Sequence, residues 1–312
     1  AGLVAMAVVA FLPLHLWASR IALDNVSHAA EAAVLLWLLD RAVVGRRRAD
    51  AVGAGLVVGF GVYGYFGGSI FLVVALAVLV AVALLPAYEI RWRGAASIAG
   101  WVVLGALVVA APLLGHYAAN PDRFSGRAKE VSGAAATVGG RARTVLDGAL
   151  FPVLDRHGAF GDFYRVDGPF LGWVLGPLAV AGVAVWLWWL VRRWRSARPG
   201  PPVPALRCEP VLVAWLVLTA VVSQTEAMSS QRWLALTPIW SLAVASSLLA
   251  AGRFLVARTV LRPAWLVAAG AVLVATVALA SAARFFDEDQ QRRAYGDTRT
   301  AGAYDLGWRL AH

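Results

Sequence analysis

The chain has few charged residues and almost no cysteine. Only 15% of its 312 residues are charged and 60% are hydrophobic, whereas about a quarter of an ordinary soluble domain is charged. The single cysteine, Cys208, excludes a disulfide framework within the chain. The five histidines are scattered, and no Cys/His spacing typical of zinc sites is present. These scarcities exclude a soluble globular domain, a disulfide-stapled fold and a site of the zinc-finger type.

Long apolar segments recur along nearly the whole sequence. Such segments predict helices that cross a lipid bilayer, for which about 20 apolar residues are needed. A membrane β-barrel is excluded because short segments of alternating polarity are missing. The sequence therefore predicts an all-α polytopic membrane protein. We place about nine transmembrane helices, at residues 1–18, 25–44, 51–65, 69–87, 96–115, 169–191, 210–224, 233–251 and 263–283.

Arginine is concentrated on one side of these predicted helices. Fourteen basic and four acidic residues lie in or beside four links, at 45–50, 88–95, 192–209 and 252–262. The opposite side holds fourteen basic and thirteen acidic residues. Because short cytoplasmic links carry an excess of arginine, the basic side is predicted to face the cytoplasm of a cell (inner or plasma) membrane. The formal net charge of +10 is thus a topological signal and does not argue for a nucleic-acid partner.

Two further segments lie on the predicted extracytoplasmic side. The loop 116–168 is longer than a simple connector, which rarely exceeds about 15 residues, and residues 284–312 form a tail. We therefore divide the chain into a transmembrane bundle, 1–283, which contains the loop, and an extracytoplasmic tail. The sequence starts at Ala1 with neither an initiator Met nor a charged segment, so residues 1–18 do not predict a signal peptide. We expect that an amino-terminal part of the protein precedes them.

Arg20 and Asp24 lie in the short link between the first two apolar segments. They are four residues apart, so both side chains share one face if the link is helical. A charge at the bilayer centre costs roughly 2.5–3.5 kcal/mol. These charges are therefore predicted to lie either at the membrane surface, where Arg20 anchors a helix end among headgroups, or in a polar cavity with a functional role.

Several segments of the sequence occur in the order found in one enzyme family. They are S-R-I-A-L-D-N at 19–25, G-F-G-V-Y-G-Y-F at 59–66, Y-A-A-N-P-D-R-F-S-G-R at 117–127, H-G-A-F-G-D at 157–162 and S-S-Q-R-W-L-A-L-T-P at 229–238. In these segments the chain resembles the bacterial branch of the dolichyl-phosphate-mannose–protein mannosyltransferases, which belong to glycosyltransferase family 39 and have the GT-C fold. The resemblance covers most of the chain and depends on the order of the segments.

The resemblance implies a membrane enzyme that moves a sugar from a polyprenyl-phosphate carrier to a hydroxyl of a protein, lipid or glycan on the extracytoplasmic face. Arg20 and Asp24 match the family's Arg/Asp pair. Asp24 is then a supporting acid, and the main catalytic acid is expected upstream of this chain. Guanidinium groups suit the phosphate of the carrier, and Arg20 is the first candidate for this contact. The other substrate-binding candidates are Arg123, Arg127, Asp162 and Arg232.

The expected partners are the polyprenyl-phosphate sugar donor, membrane lipids and an unidentified hydroxyl acceptor. The lipid-linked sugar is a substrate, and neither a cofactor nor a metal site can be assigned from the sequence. The chain departs from the family at Asp167, where an Asn is common. The role of the segment before the span at 169–191 is therefore open.

Two other functions are compatible with charges on the outer face. A transporter or flippase would place ionisable residues well inside its spans and show internal repeats. Here Glu31 is the one acid away from a span end, since Asp40 lies near the cytoplasmic end of its span and is counted with that side, and no repeat is visible. A non-catalytic membrane subunit would bind its partner through the loop 116–168. An acidic pair after a first span upstream of Ala1 would favour the enzyme.

Overall fold

The computed structural model describes residues 2–11, 27–63, 70–85, 90–122, 138–153, 171–196, 208–223, 230–258 and 263–283. These ranges form ten α-helices and two short 3-10 helices and contain no strand. The α-helices are α1 (Gly2–Phe11), α2 (Ser27–Gly45), α3 (Arg48–Gly61), α4 (Ile70–Leu84), α5 (Trp92–Ala119), α6 (Val138–Ala149), α7 (Gly172–Ser196), α8 (Cys208–Val222), α9 (Thr237–Arg258) and α10 (Pro263–Ala283). The 3-10 helices are Phe151–Val153 and Ser230–Leu236. The predicted all-helical class is confirmed for the described residues.

Each of the nine predicted spans overlaps one of these helices. Three helical stretches of the described residues are long and apolar enough to cross a membrane, namely Trp92–Ala119, Gly172–Arg192 and Trp233–Arg258. The helices α4 and α8 are apolar but have only 15 residues each, or about 22 Å, which is less than the ~30 Å hydrocarbon core. The helix α2 is longer but carries three charged residues. The described helices therefore suit a helical membrane protein, and the count of nine crossings stays a prediction.

The chain divides into two compact units. Unit 1 comprises Ala1–Val26, Ala149–Gly182 and Ala227–His312, and unit 2 comprises Ser27–Gly148 and Val183–Glu226. Unit 1 thus contains α1, the first half of α7, α9 and α10. Unit 2 contains α2 to α5, nearly all of α6, the second half of α7, and α8. The division of the chain into one bundle and a tail stays a prediction, and the tail at 284–312 lies outside the described residues.

In unit 2, the backbones of α3 and α5 are in close contact. A methyl group added at Gly55 would overlap the carbonyl oxygen of Val102, and one added at Gly59 would lie 2.8 Å from the carbonyl oxygen of Ala106. Gly105 faces the backbone of α3 in the same way. Small residues allow such an approach between membrane helices. Because the residue numbers rise together along the contact, α3 and α5 are parallel, as the predicted alternation of spans requires.

Tyr63 joins the same two helices just beyond the end of α3. Its hydroxyl donates a hydrogen bond of 2.9 Å to the carbonyl oxygen of Val109. This carbonyl lies three residues before Pro112, which lacks an N–H and so interrupts the backbone hydrogen bonds of α5. The tyrosine therefore fastens the end of α3 to the part of α5 that proline weakens.

The turn between α2 and α3 consists of Arg46 and Arg47. Arg46 has a φ of 50°, a left-handed conformation that glycine usually adopts after a helix. For a residue with a side chain, this conformation costs roughly 1–2 kcal/mol. Beside the turn, Nε of Arg41 on α2 donates a hydrogen bond of 3.2 Å to Oδ1 of Asp50 on α3. The ion pair and the two-residue turn hold α2 and α3 together as an antiparallel hairpin.

In unit 1, the first half of α7 packs against α9. A methyl group at Gly182 would overlap the backbone of Ala243, and the Ser247 hydroxyl donates a hydrogen bond to the Leu178 carbonyl. Residue numbers run in opposite directions along this contact, so the two helices are antiparallel. The predicted alternation gives both helices the same direction, and the contact contradicts it. The alternation assumed one full crossing by α8 between them, whereas the 15 described residues of α8 span only about 22 Å and the residues on either side of it lie outside the described ranges.

Three nearly parallel aromatic rings form a buried stack beside α9 in unit 1. The ring centroids of Phe151 and Trp233 are 4.2 Å apart, with 11° between the planes. The Trp240 centroid lies 5.8 Å from that of Trp233 and 6.0 Å from that of Phe151. All three side chains are almost completely inaccessible to solvent. The stack fixes the 3-10 helix at residues 151–153 to the start of α9.

Candidate functional site

Most of the site residues predicted from the sequence lie outside the described ranges. These are Arg20, Asp24, Arg123, Arg127 and Asp162. Arg232 lies in the 3-10 helix Ser230–Leu236, where its backbone is described and its side chain is not. The described residues therefore bring no two of the predicted candidates together, and the roles given to them stay predictions.

The backbone next to Arg232 has a defined environment in unit 1. Its neighbour Trp233 stacks on Phe151, a residue of the predicted loop 116–168. The stack thus brings the 3-10 helix at residues 151–153 and the segment with Arg232 close together within unit 1. This is a contact between the predicted loop and a neighbour of a predicted site residue.

A pair of ionisable side chains lies at the start of α2 in unit 2. Nε2 of His28 is 3.9 Å from Oε2 of Glu31, and the two side chains are 5% and 17% exposed. The Ser27 side chain donates a hydrogen bond to the Glu31 carboxylate. Phe71 of α4 packs edge-on against the imidazole, with the ring centroids 5.7 Å apart. The pair is therefore held where α2 meets α4, with little access to water.

The His28–Glu31 pair has the chemistry of a proton acceptor. The distance between the two side chains exceeds that of a hydrogen bond, which is about 2.7–3.2 Å. Oε2 of Glu31 is buried and has no hydrogen-bond partner among the described residues. Such an oxygen can accept a proton, and a neighbouring imidazole can share or pass it on. Ionisable groups inside apolar helices are costly and commonly functional, so this pair is the acid–base candidate of the described residues.

The chain matches no family model, no curated protein and no solved structure. Within the described ranges, no group of three His, Cys, Asp or Glu side chains is placed to hold a metal ion.

Sequence reasoning identified Glu31 as an acid inside a span and missed its partner His28. The signal in the sequence is the three-residue spacing of His28 and Glu31, because residues three apart share one face of a helix. The burial of the imidazole cannot be inferred from this spacing. It depends on Phe71, which belongs to α4 and is distant in sequence.

Proposed function

We propose that this chain is part of a membrane glycosyltransferase that moves a sugar from a polyprenyl-phosphate carrier to a hydroxyl group on the extracytoplasmic face of a cell membrane. The order of the family-like segments supports the proposal. The observation from the described residues that supports it most directly is the buried His28–Glu31 pair. This pair lies near the start of α2, and that helix begins two residues after the segment S-R-I-A-L-D-N.

The proposed reaction needs a base and a cationic site. The acceptor oxygen bonds to the anomeric carbon of the sugar while the bond from that carbon to the phosphate oxygen breaks. The polyprenyl phosphate leaves with the electron pair, and the hydroxyl proton passes to a base. Glu31 is the described residue suited to take this proton, and the His28 imidazole lies 3.9 Å from its Oε2. Among the residues assigned by resemblance, Arg20 and Arg232 balance the phosphate charge and Asp24 orients Arg20.

Deletion of the gene, followed by complementation with the full-length protein, tests the proposal. Mass spectrometry of envelope proteins, lipids and glycans should show a sugar that is missing in the deletion strain and restored by the unchanged gene. Glu31→Gln keeps the size of the side chain and removes its basic carboxylate, so it should lower the transfer rate by roughly 10²–10⁴-fold. Glu209→Gln is the matched control because Glu209 is also buried in unit 2, at the start of α8.

The outcomes test two claims separately: that the protein is a transferase, and that the His28–Glu31 pair belongs to its active site. Both variants must reach the membrane at the level of the unchanged protein, and Glu209→Gln should restore the sugar. If no sugar is missing from any envelope fraction of the deletion strain, the transferase proposal fails. Full restoration by Glu31→Gln would remove the His28–Glu31 pair from the active site.

A transporter or flippase is the second candidate, because the same pair favours it. Ionisable pairs inside apolar helices are typical of proton pathways in transporters. Proteoliposomes loaded with a polyprenyl-phosphate sugar distinguish the two functions. A transferase consumes the donor only when an acceptor is present, whereas a flippase moves the intact donor across the bilayer without one.

A further inference from the structure

One end of unit 2 carries a dense group of arginines. We define the arginine turn as Arg41 together with residues 46–48, which are all arginine. Residues 46–48 are exposed, and the Arg41 side chain is 41% exposed. In the described range 40–50, which includes the turn, the acids are Asp40 and Asp50. The turn is therefore positively charged and suits an anionic partner.

Two guanidinium groups of the arginine turn rest on tryptophan rings. The Arg41 guanidinium lies 4.9 Å from the ring centre of Trp37, and that of Arg48 lies 5.7 Å from the ring centre of Trp101 on α5. Such cation–π contacts hold a cation in place. Asp50 engages Nε of Arg41, and a guanidinium has four further N–H donors on its Nη atoms. Both cations are thus positioned before any ligand arrives.

An exposed apolar stripe on α2 leads to the arginine turn. Val34, Trp37 and Val44 are 41%, 56% and 47% exposed. With Arg41 they are spaced by three and four residues, so all four lie on one face of the helix. The surface is therefore apolar along the helix and cationic at its end, in the same way that a lipid has a tail and a headgroup.

The beginning of α5 adds positive charge at the same end of unit 2. The helices α3 and α5 are parallel, and Arg48 at the start of α3 lies over Trp101 of α5. Because α5 begins at Trp92, the nine residues before Trp101 extend roughly 13 Å beyond the turn. Arg91 and Arg93 in this extension are exposed. They extend the positive region away from the apolar stripe, as expected for a surface that meets a layer of anionic headgroups.

We propose that the arginine turn binds the phosphodiester headgroup of an anionic glycerophospholipid, with an acyl chain lying along Val34 and Trp37. Clusters of four or more arginines beside a membrane helix are typical of anionic-lipid sites. Free phosphate would use the cations and leave the apolar stripe uncovered. A neutral lipid would cover the stripe and leave the cations unused. The site is separate from the His28–Glu31 pair, which lies at the opposite end of α2, and it does not depend on sugar transfer.

Native mass spectrometry of the full-length protein measures this site directly. In detergent that contains phosphatidylglycerol and phosphatidylcholine, the unchanged protein should retain phosphatidylglycerol preferentially. Arg47→Gln/Arg48→Gln should weaken phosphatidylglycerol binding by roughly thirtyfold, or about fivefold for each charge removed. The matched control is Arg141→Gln/Arg143→Gln, which removes two exposed arginines from α6 and should leave binding unchanged.

Three further measurements complete the test. Arg47→Lys/Arg48→Lys keeps both charges and should retain most of the binding, which separates the loss of charge from a loss of folding. Trp37→Ala should weaken lipid binding by shortening the stripe, and millimolar inorganic phosphate should not displace the lipid. Equal retention of the two lipids, an equal loss in the α6 control, or full displacement by inorganic phosphate would each overturn the proposal.

Discussion

Replacing Gly55 by alanine should destabilise unit 2, although alanine is the better helix former. Helix propensity alone favours alanine by about 1 kcal/mol. A methyl group at Gly55 would, however, overlap the Val102 carbonyl oxygen and lie 2.9 Å from both the Ala106 nitrogen and the Gly105 Cα. All three are backbone atoms and cannot rotate away. The two helices must therefore separate, and they lose contact along the whole interface.

The size of the destabilisation expected for Gly55→Ala follows from the separation of α3 and α5. A gap of roughly 0.5–1 Å already forfeits a quarter to a half of the dispersion energy of the atoms concerned, and overpacking a close contact costs about 1–3 kcal/mol. Gly53→Ala is the control on the same helix, since its methyl group would meet only the Leu38 side chain, at 3.4 Å. That variant should gain up to about 1 kcal/mol from propensity. We expect the two variants to differ by about 2–4 kcal/mol in the free energy of unfolding.

The single cysteine of the chain supplies the assay. Cys208 is buried in unit 2, so a dye that fluoresces on reaction with a thiol reports thermal unfolding in detergent. About 1 kcal/mol shifts Tm by roughly 2–4 °C in a domain of this size. Gly55→Ala should therefore lower Tm by several degrees, and Gly53→Ala should raise it slightly. A Tm for Gly55→Ala that equals or exceeds that of Gly53→Ala would refute the close backbone contact between α3 and α5.

Three other predictions use the same preparation or intact cells. Arg46→Gly relieves a left-handed φ that costs roughly 1–2 kcal/mol, so Tm should rise slightly while phosphatidylglycerol binding weakens; a lower Tm would show that the Arg46 side chain stabilises the turn. Tyr63→Phe removes the hydrogen bond to Val109 and should cost about 1 kcal/mol, and an unchanged Tm would contradict that contact. Single cysteines introduced at positions 168 and 228 of a cysteine-free variant should be labelled from opposite sides of the membrane, because α7 and α9 are antiparallel in unit 1; labelling of both from one side would favour the predicted alternation.

Helix positions could be predicted closely where an apolar run has clear ends. The run at 263–283 coincides with α10, which begins at a proline, a residue well suited to the first turn of a helix. The span predicted from residue 233 differs at its start, because Pro238 stands at the beginning of α9 and the preceding residues form a 3-10 helix. Proline disfavours the α conformation in the residue before it. The helix α6 was not predicted, since paired glycines at its start argue against a helix.

The packing of the helices and the composition of the candidate site were harder to predict from the sequence. A lone acid inside a span is visible in the sequence, which is how Glu31 was found. Its imidazole partner could not be recognised without the position of α4, since periodicity on one helix says nothing about which helix covers it. The alternation of spans assumed that every apolar helix crosses the membrane. The antiparallel contact between α7 and α9 does not fit this assumption, so the predicted direction of α9 is wrong relative to α7.

The contact between α3 and α5 also sets an order for the assembly of unit 2 during synthesis. The hairpin of α2 and α3 has a two-residue turn, so its helices can pair as soon as both have been synthesised. The glycine face of α3 finds its own partner only after α4 and α5 have followed. A nascent chain that ends before Trp92 therefore lacks the backbone that packs on Gly55 and Gly59, and any neighbouring helix with small side chains can pack there. The interval between the synthesis of α3 and that of α5 is thus the period in which this part of the protein is most open to mispairing.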